Sequence, residues 1–187
     1  MTDGFYQNTV SLIETIEECL EKHRLLPCLI LLYTGIDVMA SLERRPEEGT
    51  KAAFMRWVDG YLLKVRPLPC TSTEMYAARC GILHTFSADS DLSRRGKARE
   101  LLYAWGVAQP ETLAQAASAL GRDNVVVVHI RDLLDAFRHG IADYVQELEA
   151  DVRRQDTVAQ RAGLWFVNME FNLVQQFIEL DEKGRDS

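Results

Sequence analysis

The stretch from Leu25 to Met39, LLPCLILLYTGIDVM, is the most apolar run in the chain and indicates the class of fold. It is about 15 residues long, shorter than the roughly 20 residues that cross a bilayer. Apolar side chains occur almost all round this segment, so we expect a helix that begins after Pro27, reaches about Glu43 and lies at the centre of a bundle. Asp37 is the one acidic residue of the run.

Helical periodicity continues on both sides of this central segment. A first amphipathic helix is predicted at about residues 6–23, with an acidic outer face and an apolar stripe of Val10, Ile13, Ile16 and Leu20. A third helix follows the turn at 45–49 and ends at Pro67 and Pro69; its apolar positions are Phe54, Trp57, Val58, Tyr61 and Leu62. A fourth helix should reach about Phe86, with N-cap candidates and an early acidic residue at Thr71, Ser72, Thr73 and Glu74.

The second half of the chain mixes strand and helix patterns. Residues 98–105 fit either a strand or a helix, and we favour a strand because the buried strand expected at Val125–Val128 needs a pairing partner. A short helix at about 111–120 would bridge the two, so residues 97–129 form a small two-stranded insertion. The clearest amphipathic helix is predicted at about 130–151, and a last helix at about 157–179. The apolar face of the helix at 130–151 comprises Leu133, Leu134, Phe137, Ile141, Tyr144, Val145 and Leu148.

Length and composition describe one mainly helical domain over residues 1–187. The chain is 47% apolar and 26% charged with a formal charge of −7, which opposes a role in coating nucleic-acid duplexes through a basic face. The cysteines Cys19, Cys28, Cys70 and Cys80 have no C-x-x-C spacing, which favours reduced thiols in the cytoplasm over zinc knuckles or a disulfide framework. No signal peptide or membrane anchor is expected.

The fourth helix contains YAARCGILHTF, from Tyr76 to Phe86. Its Arg79 and His84 have the spacing R-x4-H, and in this position of a helical bundle the segment resembles the HEPN family, whose hallmark is R-x(4–6)-H. The resemblance implies an up-and-down bundle and, in many members, a metal-independent endoribonuclease that acts as a homodimer, often a toxin or defence effector. Other members only bind or scaffold. Phe86 stands where one branch of the family has a modifiable tyrosine, and Cys80 where active members are frequently polar.

We therefore expect Arg79 and His84 to be the catalytic residues, with Asp37 and Cys80 supporting them and with no metal or cofactor. An imidazole can accept and donate protons near neutral pH, and a guanidinium can hold two phosphate oxygens as charge builds on them. Five residues place the two side chains about 140° apart round the helix. Convergence in one protomer is therefore not expected without a helix break, whereas a two-fold dimer would bring two copies of the pair to one cleft.

Other interpretations of these residues remain open. Arg79 lies on the apolar stripe of its helix, where a structural ion pair with Asp37 would satisfy it. His84 then becomes an exposed histidine near a helix end. The function would in that case be a protein-interaction scaffold, or a sensor of a nucleotide or small molecule that uses the same polar pocket. As a separate alternative, Cys80 beside Arg79 could be an activated thiol, but no matching base is identifiable from the spacing.

A basic segment follows the motif and is the densest in this acidic chain. Arg94, Arg95, Lys97 and Arg99 could grip an RNA backbone beside the cleft, or could belong to a solvated loop. Tyr103 and Trp105 could stack on bases, although alternating aromatic residues of a strand more often pack. Arg122 and His129 also satisfy R-x6-H but flank the expected strand rather than lying on a helix. The patterns of helix-borne zinc sites, serine hydrolases, P-loops and dinucleotide-binding folds are missing from the sequence.

Overall fold

A computed structural model describes residues 3–88, 90–165 and 175 of the chain. In this part the fold is mainly helical with one small sheet, as the sequence predicts. The elements in chain order are α1 (Asp3–Glu21), α2 (Leu25–Leu42), α3 (Thr50–Trp57), a π-helical turn (Val58–Leu62), α4 (Leu63–Val65), α5 (Ser72–Thr85), α6 (Asp91–Arg94), β1 (Glu100–Ala104), α7 (Pro110–Ala119), β2 (Val125–His129), α8 (Ile130–Glu149) and α9 (Val152–Ala162).

Helix α2 forms the centre of the bundle, because α1, α3, α5, α8 and α9 all pack against it. The prediction that this helix begins after Pro27 was wrong, because it begins at Leu25 and Pro27 lies in its first turn, where the missing N–H has no intrahelical acceptor to lose. A Cβ atom on Gly35 would stand 2.7 Å from the Phe137 ring and 2.9 Å from Leu12, so glycine allows α1, α2 and α8 to approach closely. Among the described residues, α2 is the one helix long and apolar enough to cross a membrane, and half of it is buried inside the structure.

The third predicted helix is continuous from Thr50 to Val65 but is not regular. Its middle turn widens to π-helical geometry over Val58–Leu62, directly against α8. A Cβ atom at Gly140 of α8 would meet the Leu62 backbone at 3.2 Å. The widened turn therefore rests closely on α8 at Gly140, and a larger residue there would require the backbone of the turn to shift by a few tenths of an ångström.

The insertion is a β-α-β unit with a parallel sheet. Glu100 pairs with Val125 and Ala104 with His129, and α7 makes the crossover that parallel strands require. The predicted strand at 98–105 is thus confirmed. Strand β1 packs against α5, and the hydroxyl of its Tyr103 lies 2.6 Å from the Tyr33 hydroxyl of α2. This hydrogen bond ties the insertion to the central helix.

The boundaries of the first and last helices differ from the sequence prediction. Helix α1 begins three residues earlier and ends two earlier than predicted. Val10 is 52% exposed, so its assignment to the buried stripe was wrong. The stripe follows Phe5, Thr9, Ile16 and Leu20, and Val10 lies about 100° round the helix from Thr9. At the other end, α9 begins at residue 152 rather than about 157 and ends at 162; the predicted continuation to 179 lies, apart from 163–165 and 175, outside the described residues.

A polar cluster fastens α9 to the bundle. The Arg154 guanidinium donates to both carboxylate oxygens of Glu43, at 2.7 and 2.9 Å, and to the Tyr61 hydroxyl at 2.7 Å. Tyr61 in turn donates to Glu147 at 3.0 Å. Arg161 donates to the last carbonyls of α2, 2.8 Å from that of Leu42, which otherwise have no helical partner.

α8 itself carries the apolar face predicted for it, fully buried except for a partly buried Val145.

Candidate functional site

Helix α5 positions the motif, and its start is fixed by a capping box. The Thr71 side chain accepts from the Glu74 backbone N–H, and the Glu74 carboxylate accepts from the Thr71 N–H at 2.8 Å. Glu74 is buried and also accepts from Arg99 at 2.5 and 3.1 Å. Burial raises the pKa of Glu74, but the hydrogen bonds from Arg99 and Thr71 outweigh it and lower the pKa overall. Arg99 therefore belongs to the helix cap, away from the motif.

Arg79 forms an ion pair with Asp37 of α2, the alternative that the sequence offered. Its Nε and Nη2 atoms both lie 2.7 Å from one carboxylate oxygen, Oδ2. The two side chains are only 16% and 19% exposed. The other oxygen of Asp37, Oδ1, is buried and has no hydrogen-bond partner among the described residues. Burial lowers the pKa of Arg79, but the hydrogen bond and charge of Asp37 outweigh it and raise the pKa overall, so the guanidinium stays charged.

His84 contacts the same guanidinium within one chain. Its Nε2 lies 3.2 Å from Arg79 Nη1, so the expectation that the two side chains diverge in a single protomer was wrong. The Cα positions do point about 140° apart, but the long arginine side chain reaches along the last turn of α5, which ends one residue after His84, with Phe86 in the left-handed region. Because a guanidinium only donates, Nε2 accepts and we infer that the imidazole proton is on Nδ1.

His84 lines an open groove of about 380 Å³, whereas Arg79 and Asp37 are not among its lining residues. Tyr76 forms one wall, one helical turn before Arg79, and its ring lies 5.7 Å from Lys51 Nζ and 5.9 Å from Arg79 Cζ. Lys51 comes from the first turn of α3 and is exposed. The lining residues are Lys51, Tyr76, Cys80, Gly81, His84, Thr85, Ser90, Asp91, Leu92 and Arg94. The groove thus combines cationic side chains, a histidine and an aromatic face.

Two groove residues were missed in the sequence analysis. Tyr76 could have been found, because it precedes Arg79 by three residues and so lies on the same helix face. Lys51 had no usable signal, since only the tertiary packing of α3 against α5 brings it there. Cys80, the predicted supporting residue, is a half-buried free thiol in the groove wall.

The predicted RNA-binding residues occupy different surroundings. Arg94 lines the groove and pairs with Asp91. Arg95 and Lys97 are exposed beyond it, whereas Arg99 is engaged by Glu74. Lys97 and Arg95 therefore extend the positive charge near the groove, and Arg99 does not.

The aromatic and alternative motif residues serve the fold in this structure. Tyr103 is half-buried and bonded to Tyr33, so packing accounts for it. Trp105 is 42% exposed and lies against His23. Arg122 pairs with Glu100 at 2.6 Å, and His129 caps α8 by accepting from the Arg131 N–H at 3.2 Å. The second R-x6-H match is accordingly structural.

The remaining observations concern metals and relatives. Within residues 3–88 and 90–165, no three His, Cys, Asp or Glu side chains gather as a metal centre would require. Comparisons with protein-family models, with curated proteins and with solved structures found no match for this chain. The assignment of a function rests on the site itself.

Proposed function

We propose that this chain is a cytoplasmic, HEPN-like RNA-binding protein that cleaves RNA without a metal, through Arg79 and His84. The observation that carries the proposal is the contact between Arg79 Nη1 and His84 Nε2, at 3.2 Å, because His84 also lines a groove together with Lys51 and Arg94. Attack of an RNA 2′-hydroxyl on the adjacent phosphate requires an imidazole that accepts the hydroxyl proton. It also requires a fixed cation that stabilises the charge developing on the phosphate oxygens.

His84 acts as the proton acceptor in this scheme. When a phosphodiester enters the groove, Arg79 Nη1 donates to a phosphate oxygen instead of to Nε2, which frees the imidazole lone pair. Nε2 then takes the proton of the 2′-hydroxyl as the 2′-oxygen attacks phosphorus and the bond from phosphorus to the 5′-oxygen breaks. The products are a 2′,3′-cyclic phosphate and a 5′-hydroxyl end.

Asp37 is a positioning residue for the arginine. It binds Nε and Nη2, so the guanidinium plane is held while Nη1 contacts His84. A planar fork held in this way can meet two phosphate oxygens with little loss of side-chain freedom.

A homodimer completes the proposal. The leaving 5′-oxygen needs a proton at about the time that the 2′-hydroxyl loses one, and one histidine cannot do both in a single step. Two-fold pairing of the α5 ends would supply His84 of the partner subunit as the acid. The resemblance to the HEPN family implies the same arrangement.

A non-catalytic scaffold is the second candidate, and one observation favours it. The buried Asp37–Arg79 pair would stabilise α2 against α5 even without any chemistry, and His84 is solvent-exposed as that interpretation expects. The scaffold interpretation predicts that replacing His84 changes neither the binding nor the cleavage of RNA.

Cleavage of a mixed RNA pool in excess EDTA distinguishes the two candidates. We expect wild type to cleave and to leave 2′,3′-cyclic phosphates, and His84→Ala to abolish cleavage with an unchanged unfolding curve. His139→Ala is the matched control, because His139 is equally exposed but lies on α8 and bonds only to a backbone carbonyl at 2.7 Å. Absence of cleavage by wild type, at dimer-forming concentrations, would favour the scaffold.

A further inference from the structure

A second basic surface lies at the C-terminal end of α2, outside the motif. Two adjoining grooves of about 330 and 320 Å³ meet where α2 ends and α9 begins. Five arginines and a single acidic residue, Glu43, line them; the arginines, called here the arginine patch, are Arg44, Arg45, Arg153, Arg154 and Arg161. For a chain with a formal charge of −7, this is a marked local concentration of positive charge.

The arginines of the patch divide into structural and available ones. Arg154 neutralises Glu43, and Arg161 donates to carbonyls at the end of α2. Arg44, Arg45 and Arg153 are exposed, and none of the three forms a salt bridge in the described part of the chain, although the charge of Arg45 acts on nearby Glu48. The patch therefore retains donors for an external anion while its own acid is already satisfied.

An aromatic side chain stands beside these guanidinium groups. Trp165 lines the same groove, half-buried, and stacks on Phe5 with the ring centroids 5.6 Å apart. Arginines that follow a phosphate backbone, combined with a flat aromatic face, are typical of surfaces that bind single-stranded nucleic acid.

The patch is physically joined to the groove beside His84. Arg44 donates to the Thr50 hydroxyl at 3.3 Å. The next residue, Lys51, lies over Tyr76 and lines that groove. The cationic side chains thus follow one another from the groove, over Lys51 and Arg44, to Arg45 and Arg153.

We infer that single-stranded RNA runs along this track, with its reacting phosphate at Arg79 and His84 and its continuing backbone on the arginine patch. The inference rests on the proposed function for the position of the reacting phosphate. It adds that the substrate is single-stranded and longer than the groove alone would hold. A duplex would not offer unpaired bases to Trp165.

The test measures binding separately from cleavage. His84→Ala protein, which leaves RNA intact, is titrated into labelled single-stranded RNA of about 4 and about 16 nucleotides, the range of sites of single-strand binding modules. The variant pair Arg45→Gln/Arg153→Gln is compared with Arg24→Gln/Arg131→Gln, which removes the same charge from exposed arginines near the opposite end of α2.

Each phosphate contact to a single strand contributes about 0.7 to the slope of log K against log salt concentration. With the longer RNA, the variant that loses two contacts should therefore show a slope smaller in magnitude by about 1.4 than the parent protein. Between about 50 and about 200 mM salt, the affinity of this variant should fall about sevenfold less than the affinity of the parent. The control pair should keep the slope, and the shorter RNA should bind both pairs alike.

An unchanged slope in the Arg45/Arg153 pair, or an equal loss in the control pair, would overturn the track. Failure of the nuclease proposal has a different signature, because wild type would then leave RNA intact while the slopes still separate the two pairs.

Discussion

Arg79→Ala is expected to destabilise the fold by about 2 to 3 kcal/mol. The guanidinium supplies the hydrogen bond that Asp37 receives, from Nε at 2.7 Å, and a second ion-pair contact from Nη2 at 2.7 Å, and the other carboxylate oxygen is buried without a partner among the described residues. Hydrogen bonds to charged groups contribute about 1.5 to 3 kcal/mol, and breaking a fully buried ion pair costs about 3 to 5 kcal/mol. The pair is 16% and 19% exposed, so the lower part of that combined range applies.

Urea denaturation followed by tryptophan fluorescence measures this cost in a double-mutant cycle with Asp37→Asn. We expect a coupling free energy of about 1.5 kcal/mol or more between Arg79 and Asp37. The exposed pair of Arg138 and Glu17, 50% and 40% exposed, is the control and should couple by less than about 1 kcal/mol. A coupling below about 0.5 kcal/mol for Arg79 and Asp37, as in independent sites, would refute the reasoning.

Three further predictions concern the core and the response to acid. Gly35→Ala should cost about 1 to 3 kcal/mol in a thermal or urea melt, because its methyl group would stand 2.7 Å from a buried ring carbon. Tyr103→Phe should lower the free energy of unfolding by about 1 to 3 kcal/mol, because it leaves the Tyr33 hydroxyl without a hydrogen-bond partner. The double variant Tyr33→Phe/Tyr103→Phe should lose less than Tyr103→Phe alone in the same melts. The hydrogen bond from Arg56 lowers the pKa of Glu48 from 4.5 to about 2. The stabilisation of the fold by this ion pair is therefore present above pH 4.5 and is lost as the pH falls towards 2. Arg56→Gln should flatten this part of a plot of unfolding free energy against pH.

Much of the fold was predictable because it depends on local periodicity. The apolar run of α2 and the seven-residue face of α8 are long enough to fix their helices, and both pack as expected. Val125–Val128 likewise indicated a strand. The π-helical turn at Val58–Leu62 depends on tertiary packing against α8, for which the sequence has no local signal. The strand direction was not predicted, although a helix that bridges two strands is typical of a parallel pair.

The ion pair beside the candidate site was predictable from the sequence, whereas the contact with His84 was not. A lone aspartate in an apolar helix and an arginine on an apolar stripe suffice to suggest the Asp37–Arg79 pair. The contact with His84 depends on the reach of a flexible side chain, which helical angles between Cα positions do not describe. Arg99 differs from its expected role for a similar reason. The sequence places it in a basic loop, but in the structure it pairs with the buried carboxylate of Glu74, which caps α5.

The most direct test of the central claim is single-turnover cleavage of a defined single-stranded RNA in excess EDTA, by wild type, His84→Ala and His139→Ala. The account predicts cleavage by wild type and His139→Ala, none by His84→Ala, and none of an RNA whose cleaved position carries a 2′-deoxyribose. Cleavage by folded His84→Ala at the wild-type rate, or of the 2′-deoxy substrate, would contradict it.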